Sequence, residues 1–165
     1  MSSTSESKTG SRSVLAAVLG GVSAGALDIS YAAGRSALNG RSALGVLQSV
    51  GSGLIGSAAF EGGILTAVFG LVCHFFITLT GSAVFLLAYR RVAFLREHFW
   101  LGAAAFGVLF YAFMHGLVVP LSAIPFKFTY SPSTVAQGLA VHVLLVGLPI
   151  AFCVRKFSSR PVTDA

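Results

Sequence analysis

Apolar residues fall in four long runs along the chain, at about 14–33, 62–88, 100–120 and 135–154, separated by short polar or basic segments. A helix needs ~20 apolar residues to cross ~30 Å of hydrocarbon, and each run reaches that length. The pattern predicts an all-α fold, a polytopic membrane protein with four transmembrane helices. A fifth stretch, 42–60, is shorter and rich in glycine and serine. Leu44, Leu47, Leu54 and Ala58 fall near one helical face, and Gly45, Ser49, Gly53 and Ser57 share another. It is expected to form a short re-entrant or interfacial helix rather than a fifth span. Pro149 lies within the fourth run and should kink it.

Charge sets the expected topology. Residues 1–12 are polar and Ser/Thr-rich and read as a disordered tail, 158–165 form a second tail, and 13–157 make the bundle. With four spans, Lys8, Arg12, Arg90, Arg91, Arg96, Arg155, Lys156 and Arg160 share one side, and only Arg35, Arg41 and Lys127 lie on the other. Basic residues concentrate on the cytoplasmic side, so both termini are expected there. A fifth span at 42–60 would move the 90–96 cluster across and undo that bias. The small-residue step Ala24–Ala26 resembles a signal-peptide cleavage site. The apolar run continues past it through Ile29 and Tyr31 to Ala33, so the first helix is expected to be retained.

Composition agrees with the pattern. Hydrophobic residues make up 55% of the chain and charged residues 10%, with a mean hydropathy of +0.85. A soluble domain carries about 25% charged residues, so this chain cannot cover itself in water. The net charge of +6 does not signal nucleic acid, because the basic residues flank apolar runs instead of forming a patch. The two cysteines, Cys73 and Cys153, sit inside different runs with no paired spacing. There is no GxSxG, Walker loop, HExxH or workable carboxylate pair, and an enzyme is not expected.

The candidate chemistry lies inside the apolar runs. Each holds one ionisable residue: Asp28, His74, His115 and His142. An acid at mid-helix costs ~3 kcal/mol in hydrocarbon, so such residues mark functional sites by default. Each extends a stripe of small or polar residues: Gly21, Gly25, Asp28 and Ala32; Thr66, Gly70, His74, Thr78 and Ser82; Ala104, Gly107, Tyr111 and His115; Gly138, His142 and Pro149. Helical spacing puts each set on one face, expected to point into the bundle. Estimated depths place all four in one layer of the outer half, with Glu61 above as an entrance charge and Tyr111 and Thr78 as secondary members. Asp28 has a plainer reading as the structural partner of Arg35, two turns away.

Three segments of the central and C-terminal runs also resemble a known family. The segments "GLVCHFF", "FMHGLVVPLSAIPF" and "VAQGLAVHVLL" are similar to motifs of the YagU-like family of small bacterial inner-membrane proteins, over roughly residues 68–145. The resemblance implies four spans in the bacterial inner membrane and no established chemistry. The residues themselves suggest a proton-responsive or proton-conducting site. Other readings are a haem b protein with His115 and His142 as axial ligands, a transition-metal site using all four residues, or a structural accessory protein. The expected partners are the lipid bilayer and either a second copy of the chain or another membrane subunit.

Overall fold

The apolar runs fold as helices, and their breaks fall at residues suited to ending or starting one. In this computed structural model, which describes residues 3–158 and side chains from residue 10 onward, α1 spans Ser3–Leu38. It stops at Asn39 and Gly40, where Gly40 takes φ +69°, a conformation that glycine adopts freely. Ser42 then caps α2 (Ala43–Ile55), its hydroxyl accepting from the Leu44 N–H at 3.1 Å. Gly56, at φ +62°, ends α2 and opens a 3-10 turn (Gly56–Phe60). Next comes α3 (Gly63–Arg91), whose C-terminal carbonyls at Tyr89 and Arg90 accept from Arg96 Nη1 at 2.9 and 3.1 Å.

After the short α4 (Ala93–Glu97), α5 (Phe99–Phe113), a π turn (Met114–Val118) and α6 (Val119–Leu121) make one continuous helix. The last long helix starts at Ser131, which accepts from the Thr134 N–H at 3.2 Å, with Pro132 in the first turn. It comprises α7 (Pro132–Val141), a π turn (His142–Gly147) and α8 (Leu148–Ser158). Both π turns lie just ahead of a proline, Pro120 and Pro149. A proline offers no N–H, and its ring collides with the carbonyl four residues back. Widening the preceding turn relieves both faults. The disturbance expected at Pro149 takes this form.

Neighbouring long helices are antiparallel and meet through glycine. Gly21 of α1 abuts Leu79 of α3, and Gly25 abuts Thr78 and Phe75. Gly107 of α5 abuts Val143, and Gly147 lies on the Ala103 carbonyl. A Cβ on Gly21 would sit 2.6 Å from Leu79 Cα, so only glycine allows this approach. Towards the chain termini the core is Ala24, Phe85, Leu86, Ala103, Val146, Ile150, Ala151 and Val154. Large apolar side chains also cover the outside: Phe76 is 70% exposed, Leu109 67% and Leu65 76%. Such an apolar exterior suits lipid, not water.

Five helices are long and apolar enough to cross a membrane, the additional one being Ala43–Phe60. The count thus differs from the four expected. Its α-helical part, α2, has 13 residues and is about 20 Å long at ~1.5 Å per residue. It packs on the first turns of α3, where Gly51 and Gly70 meet and Gln48 Nε2 donates to the Gly63 carbonyl at 3.0 Å and Thr66 Oγ1 at 3.3 Å. Because α1 and α3 are antiparallel, the chain leaves α1 and enters α3 at the same end of the bundle. The N-terminal tail also differs from expectation. Helix α1 already includes residues 3–12, since an established helix adds residues at small cost. Beyond Ser158 the C-terminal tail lies outside the described residues.

Candidate functional site

In the half of the bundle away from the termini, the distal half, the helices part around a cavity of about 740 Å³. That size suits a small organic ligand. Its wall includes Asp28, His74, His115 and His142 together. Four residues from four helices converge because each belongs to a small-residue stripe on the face its helix turns inward. On α3 the stripe is the buried face: Gly70, His74, Thr78 and Ser82 are all buried.

The four residues do not form one contact cluster. His74 is buried, and its Nε2 donates to the Gly25 carbonyl at 2.9 Å, pinning α3 to α1. His115 and His142 do meet, with ring centroids 6.1 Å apart at 66°. The two helices present them from their π turns, a widened backbone that recurs at functional sites. Side chains on helices lean towards the helix N-terminus, so on antiparallel helices these two lean towards each other. Tyr111 packs on both, 4.4 Å from the His115 ring and 5.2 Å from His142. A carbonyl only accepts, so the Nδ1 of His142 donates to the Gly138 oxygen at 2.9 Å. His115 Nδ1 lies 3.3 Å from the Tyr130 hydroxyl.

Several expectations need correction. Asp28 lines the cavity, but among the described residues it forms no ion pair with Arg35. The seven-residue separation (~10 Å of rise) leaves the two groups at different levels of the wall. Glu61 is not an entrance charge. The 3-10 turn carries it to an exposed position before α3, away from the cavity wall. Thr78 packs in the α1–α3 seam, donating to the Phe75 carbonyl at 3.2 Å, and does not reach the cavity.

The sequence reading missed the roof of the cavity. Phe128, Thr129 and Tyr130 line it from the segment joining α6 to α7. His115 meets Phe128 and Tyr130 edge-on, each with centroids 5.8 Å apart. The signal is the alternation of Phe126, Phe128 and Tyr130, which in an extended chain puts three aromatic rings on one face. Arg35 and Arg41, read from sequence as topology markers and, for Arg35, as a partner of Asp28, also line the wall.

Chemically, this is a pair of imidazoles in an aromatic box with a carboxylate on the same wall. Two imidazolium charges at their 6.1 Å separation would repel by at most about 3 kcal/mol at an effective dielectric of ~20, so the rings act as a coupled pair. The fold and site together define an all-helical, membrane-type bundle with a polar cavity at one end. Comparison of the chain with protein-family models, with curated proteins and with solved structures gives no match.

Proposed function

We propose that the protein is a four-span membrane protein whose distal cavity is a proton-responsive site, open to the side opposite the termini. The observation that carries this reading is the His115–His142 pair, two rings in contact on neighbouring π turns beside a wall carboxylate. Imidazole changes charge near neutrality, and buried His and Asp groups in membranes serve as proton relays and sensors. Four crossings are supported by the antiparallel pairing of α1 and α3, which keeps the connection between them, α2 included, on one side. The bias of basic residues supports cytoplasmic termini, and the YagU-like motifs support a bacterial inner membrane.

Response fits the molecule better than conduction. A proton path needs polar groups or water through both halves, whereas the terminal half is filled by Ala, Phe, Leu, Val and Ile. The test is proton flux into liposomes containing the purified chain and a pH-sensitive dye. The reading expects no flux above empty liposomes under an imposed potential. Sustained flux abolished by His142→Gln would replace response with conduction.

A further inference from the structure

The charges on the cavity wall are sorted along its depth. Asp28 and His142 lie on the deeper wall, while Arg35 and Arg41 lie towards the distal end and are exposed. Among the described residues neither guanidinium is paired with an acid. Ser36 Oγ donates to the Ser42 carbonyl at 3.4 Å, which holds the arginine-bearing end of α1 against the start of α2. The N–H groups of that helix start add positive potential at the same place. Most of the exposed surface of the wall is apolar, with Tyr31, Val50 and Phe128 contributing to it beside the polar Ser49, Thr134 and Gln137. A mouth with two unpaired guanidiniums above an apolar shaft matches one ligand chemistry.

We propose that the cavity binds an amphiphilic anion, with its phosphate or carboxylate held by Arg35 and Arg41 and its apolar body in the shaft. Guanidinium is the side chain best suited to such oxyanions, because its planar fork donates two parallel hydrogen bonds. An apolar body explains why the shaft is aromatic and why the site lies within a membrane bundle. Two sources share this chemistry: an anionic lipid entering from the bilayer and a soluble organic anion. The inference uses the same cavity as the function proposed above but does not depend on its proton response.

The test is calorimetric titration of phenyl phosphate into the full chain in neutral detergent. Saturable binding is expected, weakened about tenfold by Arg35→Gln or Arg41→Gln, as suits a lost charge-assisted bond. Lys127→Gln, an exposed basic residue of the same end but outside the cavity wall, should leave it unchanged. Inorganic phosphate, lacking the body, should bind more weakly than phenyl phosphate. Repeating the titration in phosphatidylcholine nanodiscs with added phosphatidylglycerol separates the sources: competition assigns the site to a lipid headgroup, and its absence to a soluble anion. No saturable binding, or binding that survives in both arginine variants, overturns the proposal. Both arginine side chains are exposed, so unchanged melting temperatures in the variants exclude misfolding as the cause of any loss. Binding of phenyl sulfate, an anion whose charge is the same at about pH 5 and pH 8, that is equal at the two values supports the anion site and counts against proton response. Imidazole titration without anion binding does the reverse.

Discussion

The two halves of the bundle use the same four long helices to opposite ends. In the terminal half, Gly20 and Gly21, with Ala24, Ala103 and Gly147, bring backbones together around Phe85, Val146 and Ile150. In the distal half the facing positions change to Asp28, Tyr31 and Arg35 on α1 and to His142 and Gln137 opposite, and a cavity of about 740 Å³ opens. The difference lies in the side chains at the seam. Small residues let helices close, and long polar ones hold them apart. A packed half anchors the helices, and a hollow half can then hold histidines, tyrosines and arginines in fixed relation. The short α2 adds Val46, Ser49 and Val50 to the hollow wall without entering the packed half.

The largest expected effect tests that contrast directly. Gly21→Ala would place its Cβ 2.6 Å from the Leu79 backbone, and should cost about 3 kcal/mol or prevent folding. Gly34→Ala, where nothing lies within 4 Å, should instead gain about 0.5–1 kcal/mol from helix propensity. Unfolding in mixed micelles measures both. Similar responses at the two sites would break the comparison between halves.

Ser82 sharpens it on a smaller scale. Its hydroxyl is fully buried and, among the described residues, is the one buried side-chain oxygen or nitrogen without a hydrogen-bond partner. Removing an unsatisfied buried hydroxyl should help, so Ser82→Ala is expected to raise stability by about 1 kcal/mol in the same assay. A loss of similar size would mean that Ser82 has a partner, such as water, and that the terminal half is not dry.

Much of this arrangement is legible in the sequence, for a physical reason. Helical periodicity turns spacing into faces, so the stripe Gly70, His74, Thr78 and Ser82 is legible as a buried seam from its spacing alone. The same logic put Asp28, His115 and His142 on inward faces. Periodicity gives direction but not contact. It could not tell that His74 is spent on the Gly25 carbonyl while His115 and His142 meet. Pro149 signalled a disturbed helix, but a proline does not say that the turn before it will widen and carry a histidine. Phe128 and Tyr130 escaped because their segment is not helical and alternates with a period of two. Arg35 and Arg41 were read as charges at the end of a span, since the cavity they face exists only once α2 has folded back on α3. Glu61 misled for a similar reason: position along the chain fixes its level and leaves its direction to the 3-10 turn.

The central claim is that His115 and His142 form one proton-responsive pair in the distal half. It is tested most directly by following the imidazole carbon resonances of the histidine-labelled chain in nanodiscs across about pH 5 to 8. Exposed His98, beyond the bundle core at the terminal end, serves as the reference. The account predicts that the resonances of both cavity histidines respond to pH across this range. Because two imidazolium charges 6.1 Å apart would repel, it also predicts that His142→Gln changes the pH dependence of the His115 resonances and leaves those of His98 unmoved. Two histidines that do not titrate, or a His115 curve unchanged by loss of His142, would contradict it.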